Sequence, residues 1–305
     1  MRRTSEIKIT PLNIPNTITK DFQYEDRYAM LTIPNFTNYI KHTRTRYHDS
    51  FKYFNNDTII GKCLEFYGEY TEPELELLFC FCNSETIVYD IGANIGYHAT
   101  GLAFKAKEVY AFEPNHKNYN LLEANAHDYD NLATINAACS NTNGIAHIQD
   151  FVLGEPGNLG ELKLVKEGQE CHIVKLDDYA KDEKLPMPHV VKIDVEGHEW
   201  EVIQGMDNII KNNLPVIFYE HMHGDHLEDV SKYLVGLGYK EYWMPVRNYN
   251  PSNFKKNPLN IFGDGYLLNV LAVPFHIQFQ SMIPDKVPGE SWVQRIERYQ
   301  KENAK

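Results

Sequence analysis

One stretch, Val88-Tyr89-Asp90-Ile91-Gly92-Ala93-Asn94-Ile95-Gly96-Tyr97-His98, limits what this chain can become more than any other. An apolar run of strand character stops at an acid, a small-residue turn follows, and a helical pattern begins at Tyr97. Strand, glycine turn and helix in that order bring backbone N–H groups close to a ligand. Two familiar ligands are excluded by the residues of the turn. A dinucleotide fingerprint needs three glycines, G-x-G-x-x-G. Aligned on Gly92, the second position is Asn94 and the third Tyr97, so a pyrophosphate has no glycine at its closest approach. A Walker loop needs Gly-Lys-Ser/Thr after the turn, and none follows.

A second strand-like run, 108–112, leads into Glu113, 23 residues after Asp90. In a nucleoside-binding α/β fold an acid at the end of the second strand accepts hydrogen bonds from the ribose hydroxyls. Asp90 then lies toward the other end of the same ligand. Further strand-like runs occupy 87–90, 133–136, 189–193 and 215–219, with helical patterns at 72–81, 97–104, 117–126 and 200–204. A helix end followed by a turn is read at 233–239, and additional strands at 162–165 and 171–176. This alternation predicts an α/β fold with a doubly wound, mostly parallel sheet. The β-rich run at 266–273 supplies an antiparallel edge.

The chain of 305 residues suffices for one large domain with an appendage. Residues 1–60 show no clean period and read as an N-terminal extension, a candidate lid or acceptor-binding region. Within it, the basic run from Lys41 to Arg46 reads as a solvated face, or as a contact for an acidic or phosphate-bearing partner. Residues 61–275 carry the alternating pattern, and 276–305 read as a C-terminal helix and tail. A net charge of −12 argues against nucleic acid as partner. Five cysteines without framework spacing point to reduced thiols and a cytoplasmic setting. No apolar run approaches the length of a membrane span.

Candidate chemistry concentrates in Val190-Val191-Lys192-Ile193-Asp194-Val195-Glu196-Gly197-His198-Glu199. Ligands of open α/β sheets lie beyond the carboxyl ends of the strands. Asp194, Glu196 and His198 therefore project where a ligand should lie, and any of them suits a general base. Glu196 or Glu199 can equally cap the following helix. Glu220 and His221 end a later strand, which makes Asp194, Glu220 and His221 a candidate set for a divalent metal. His221-x-His223-x-x-His226 is a weaker candidate for a transition metal. Asn136, at the end of the third strand, is a candidate contact for a base, or simply a turn residue. Gly68-Glu69-Tyr70 precedes the first helix and either folds over the ligand or begins that helix.

The pairing of Asp90 with Glu113, without a phosphate-binding glycine set, resembles the S-adenosylmethionine site of class I methyltransferases. Asp90-Ile-Gly-Ala-Asn-Ile-Gly96, Phe112-Glu-Pro-Asn115, Leu176-Asp-Asp178 and Lys192-Ile-Asp-Val-Glu-Gly-His-Glu199 resemble, in order and spacing, the FkbM-type methyltransferases. Gly68-Glu-Tyr70 and Asn269-Val-Leu-Ala-Val-Pro274 extend the likeness, which covers about residues 60–275. The resemblance implies a Rossmann-like class I fold, S-adenosylmethionine as donor, and O-methylation of sugar hydroxyls or natural products. It implies that Asp90, Gly92, Asn94 and Gly96 form the cofactor loop and Glu113 the ribose acid. The expected acceptor is thus a small molecule or glycan. Two alternatives stand beside this reading: methylation of an RNA ribose 2′-hydroxyl, and a nucleoside-binding module without turnover.

Overall fold

The structure, a computed structural model, describes residues 37–222, 224, 226–279 and 285–303. The chain begins there with a hairpin, β1 (Ile40–Thr43) and β2 (Phe51–Phe54), followed by helices α1 (Ile60–Tyr67) and α2 (Glu72–Phe79). Strand and helix then alternate through β3 (Ile87–Ile91), α3 (Tyr97–Ala103), β4 (Glu108–Phe112), α4 (His116–Ala126) and β5 (Leu132–Ile135). Four strands come next, β6 (Ala138–Ser140), β7 (Gly144–Ile148), β8 (Leu164–Val165) and β9 (Gln169–Lys175), and then α5 (Leu176–Asp182). The alternation resumes with β10 (Val190–Ile193), α6 (Glu199–Gly205), α7 (Asp207–Asn213), β11 (Val216–Glu220) and α8 (Leu227–Gly236). It closes with β12 (Tyr239–Arg247), β13 (Tyr266–Pro274), β14 (Asp285–Lys286) and α9 (Trp292–Asn303).

The central sheet has the order β14-β12-β13-β11-β10-β3-β4-β5. Its strands β5, β4, β3, β10 and β11 are all parallel, and the antiparallel pairings are confined to the β13, β12 and β14 edge. This is the doubly wound class I sheet that the motifs imply. Strands β3, β10 and β11 are buried at every residue, as expected of parallel strands covered on both faces. Alternation sorts their side chains between two cores. Val88, Val190, Val216 and Phe218 face one, with Leu75, Ala99 and Leu121, while Tyr89, Ile91, Val191, Ile193 and Tyr219 face the other. The chain leaves β3 toward β4 and β5 and returns to β10 on the opposite side. The strand order therefore reverses between β3 and β10, where a doubly wound sheet opens a crevice at its carboxyl edge.

Two additions surround that crevice. The second sheet, β6-β9-β7-β8, lies between β5 and β10 in sequence and has its own small core of Ala138, Ala146, Ile148, Cys171 and Ile173. The β1–β2 hairpin sends Phe51, Tyr53 and Phe54 into the core shared with Val88 and Leu121. Residues 37–60 are thus packed into the body of the fold, whereas residues 1–36 of the expected extension lie outside the described residues. The basic run within the hairpin region is also engaged. Lys41 pairs with Glu65 at 2.8 Å, and Arg46 with Glu72 at 3.1 Å and Glu69 at 3.4 Å. The five cysteines are all free thiols.

Candidate active site

The turn after β3 is held by its neighbours on both sides. Gly92 and Ala93 donate backbone N–H groups to the Phe112 carbonyl at 2.9 Å, fastening the turn to the end of β4. Gly92 has φ +81°, and a Cβ there would stand 1.8 Å from the Asp194 carbonyl oxygen at the end of β10. Only glycine lets the two strand ends approach so closely. Asn94 adopts φ +51°, a conformation that asparagine tolerates better than most residues. At Gly96, φ +90°, a Cβ would meet Leu122 at 2.7 Å.

Glu113 is fixed by this turn. Its Oε2 accepts the Asn94 N–H at 2.9 Å and its Oε1 the Asn115 N–H at 2.8 Å. Each oxygen keeps a lone pair for a ligand, so the carboxylate is oriented before anything binds. Burial pushes Glu113 up to about 7, although both N–H donors act in the opposite direction. Of the two readings of Asn136, base contact or turn residue, its hydrogen bonds fit the turn residue. Its amide donates to the carbonyls of Glu113 at 2.8 Å and Pro114 at 3.3 Å and ties β5 to β4. The neighbouring Ala137, Ala138 and Cys139 line the crevice instead.

Strand register assembles the polar groups on one face of the sheet. Lys192 stands opposite Asp90 in the β10–β3 ladder and opposite Phe218 in the β10–β11 ladder. Its ammonium lies 3.4 Å from Asp90 and 3.3 Å from Asp194. Burial alone would lower the Lys192 pKa, but the carboxylates of Asp194, Asp90 and Glu74 raise it well above the usual range. Asp90 is fully buried and sits beneath the turn as a partner of Lys192. Glu220 pairs in register with Asn269 of β13, and both line the crevice.

From α2, Glu74 reaches the same wall. Asn269 donates to it at 3.5 Å, and His98 Nδ1 lies 3.9 Å away. Burial pushes Glu74 up to about 8. His98 shares a hydrogen bond with Thr71 at 2.9 Å and stacks on Tyr70. Burial, with the nearby Lys192, holds the His98 imidazole neutral. Glu74 and His98 escaped the sequence reading. A signal for Glu74 exists, because it stands one turn before Leu78 and beside Leu75, so an acid shares the apolar stripe of α2.

The strand-end acids divide into two groups. Asp194, Glu196 and Glu220 each offer a carboxylate oxygen, and these oxygens lie within 4.8 Å of one another. Glu199 is the capping residue, accepting the N–H groups of Gly197 at 3.2 Å and Val195 at 3.4 Å. His198 lines the crevice, but its Nε2 is 2.9 Å from Ser140 Oγ and its Nδ1 3.5 Å from Glu201. Burial lowers its pKa, so it is neutral at pH 7. The expected metal set needs correction at His221. Adjacent residues of a strand point to opposite faces. With Glu220 toward the crevice, His221 packs against Trp243, ring centroids 4.9 Å apart, on the other side. Glu196 takes its place in the carboxylate group. His223, named in the weaker histidine pattern, lies outside the described residues.

Comparison with known proteins agrees with these motifs. Residues 90–241 match the family model described as the Methyltransferase FkbM domain. A curated relative, hexuronic acid methyltransferase AglP of Haloferax volcanii, is 31% identical over 162 residues. That match takes in 52% of this chain and 66% of the relative, just under two thirds of its length. Among solved structures, methyltransferase FkbM from Methylobacillus flagellatus KT is similar over 62% of this chain and 44% of its own, with 16% identity and a TM-score of 0.43. The precorrin-6y C5,15-methyltransferase of Geobacter metallireducens GS-15 covers 67% of this chain and 87% of its own, at 14% identity and a TM-score of 0.42.

Proposed function

The chain belongs to the FkbM methyltransferase family, and on that premise we propose that it transfers a methyl group from S-adenosylmethionine to a hydroxyl of a carbohydrate. The observation that carries this reading is Glu113, oriented by the N–H groups of Asn94 and Asn115 beside a glycine turn at the switch point of the sheet. Its two oxygens suit the two ribose hydroxyls, and the turn at Gly92 suits the methionine portion. Ala137, Ala138, Cys139 and Ile148 supply an apolar wall for the adenine. Glu74, buried near Asn269 and His98, suits the ammonium of the methionine portion.

The donor carries its methyl on a positively charged sulfur, so an attacking oxygen gains the methyl and leaves a neutral thioether. The protein must hold that oxygen in line and take up its proton. Asp194 is the residue best suited to accept the proton. It stands at the crevice end of β10 and lines the crevice, with Lys192 on its Oδ2. His198 is a positioning residue, since both ring nitrogens already face Ser140 and Glu201.

The acceptor is a sugar, and the relative's name suggests an acidic one. An RNA acceptor fits poorly. Glu74, Glu113, Asp194, Glu196 and Glu220 line the crevice, and among the described residues Lys192 is the one Lys or Arg that lines it. A phosphodiester chain needs the opposite charge balance. Four ionisable strand-end side chains also exceed what a passive binding module needs. The reading is tested with tritiated S-adenosylmethionine and free hexuronic acids or their glycosides. Transfer to a sugar, lost in Asp194→Asn, supports it. No transfer to any sugar, or transfer undiminished in Asp194→Asn, overturns the acceptor or the base.

A further inference from the structure

Asp194, Glu196 and Glu220 come from two adjacent strand ends and the loop beyond one of them. Lys192 and Phe218 are register partners, so Asp194 and Glu220, each two residues further on, stand at the same level. Glu196 reaches them from a turn in which it adopts φ +57° and Gly197 φ +98°. The loop after β11 closes against the same turn, since a Cβ on Gly224 would lie 3.1 Å from Gly197 Cα. Backbone conformation thus directs three carboxylates to one point, with oxygens within 4.8 Å of one another.

Like charges do not gather without compensation. The Lys192 ammonium is already shared between Asp90 and Asp194. Glu220 is 6% exposed, lines the crevice, and its Oε2 has no hydrogen-bond partner. A buried carboxylate oxygen without a partner is costly, and a bound cation removes that cost. All three donors are oxygens, which favours hard cations such as Mg²⁺, Mn²⁺ or Ca²⁺ over zinc. The ligand atoms of one such ion, each about 2.0–2.6 Å from it, fall within the spacing seen here.

We propose that Asp194, Glu196 and Glu220 bind one divalent cation at the acceptor end of the crevice, where it holds the carboxylate or paired hydroxyls of the sugar. The role toward the sugar rests on the function proposed above, whereas binding of the cation by itself does not. A cation there also explains how an acidic crevice admits an acidic acceptor. Both partners are anionic, and the ion is shared between them.

The test is titration of the full chain with Mn²⁺ alone, following the electron paramagnetic resonance signal of free Mn²⁺. One Mn²⁺ binds per chain, and Glu220→Gln weakens it at least tenfold. Asp194→Asn does the same and guards against a Glu220 variant that fails to fold. Glu167→Gln, on the exposed turn before β9, leaves it unchanged. Mn²⁺ also raises the melting temperature of the natural chain but not that of Glu220→Gln. No binding up to about 1 mM, or equal binding by all variants, overturns the site. S-adenosylhomocysteine binding measured on the same samples separates the two claims. Retained Mn²⁺ with no nucleoside binding rejects the methyl-donor reading alone, and the reverse rejects the cation alone.

Discussion

At the residue scale the crevice is a set of buried and half-buried acids arranged around Lys192. Lys192 faces two carboxylates, and removing its charge strands Asp90 in the interior. Lys192→Met should destabilise the protein by about 3–5 kcal/mol, measured by urea unfolding. Adding Asp90→Asn should restore part of that loss; if it restores none, the pair is not the origin. Glu113 gives a pH dependence. Its folded value of about 7 lies above its ordinary value of 4.5, so the folded state keeps a proton that the unfolded state has released. Folding stability attributable to Glu113 therefore falls as pH rises from 4.5 to 7. Ligand binding has the opposite sign, because only the ionised carboxylate accepts from both ribose hydroxyls. S-adenosylhomocysteine should bind more tightly as pH rises from about 6 to 8, and calorimetry on Glu113→Gln should lose that slope. Glu113 was legible in the sequence because its place is set by strand and spacing. Glu74 was harder to see, since its burial depends on what α2 packs against. His221 was misplaced because its orientation is decided by strand geometry that composition does not reveal.

At the element scale the parallel strands were the most legible part of the chain. Strands β3, β10 and β11 read as short apolar runs because both of their faces are covered. Strand β12 was not read. It lacks clean alternation, since Glu241, Tyr242 and Trp243 are all buried, and it contains Pro245, which usually argues against a strand. Proline is tolerated there because β14 pairs with β12 only at Glu241 and Tyr242, leaving the β12 edge open at Pro245. The β1–β2 hairpin, β6 and β7 were missed because strands of three to five residues with mixed composition carry little periodic signal. The hairpin nonetheless belongs to the core. Phe51→Ala should cost about 3–5 kcal/mol, a value expected of an interior phenylalanine and far above that of a loosely attached appendage. Thermal denaturation of the variant distinguishes the two. Gly92→Ala tests the approach of β3 to β10. Its Cβ meets the Asp194 carbonyl, so the turn must shift, and nucleoside binding should fall more than overall stability.

At the scale of the whole molecule, topology explains why the motifs come together. Residues 90–96, 113 and 194–198 are far apart in sequence, but the order reversal between β3 and β10 brings their strand ends to one crevice. The second sheet, with Ala138, Ile148 and Leu164, and Leu162 of the loop before β8 close that crevice from the side. No helix among the described residues is long and apolar enough to cross a membrane. The molecule's net charge of −12 has the same sign as the crevice. A mobility shift with single-stranded RNA at about 0.15 M salt should therefore show no complex at micromolar protein. A complex that dissolves steeply with salt would speak for a phosphate-bearing acceptor. In the function proposed above, a methyl-donor nucleoside sits on Glu113 beside the Asp90–Gly96 turn. Calorimetry with S-adenosylhomocysteine tests it most directly. One site per chain is expected, weakened at least tenfold by Glu113→Ala in a variant that still folds. Absence of binding by the natural chain, or equal binding by Glu113→Ala, would contradict it.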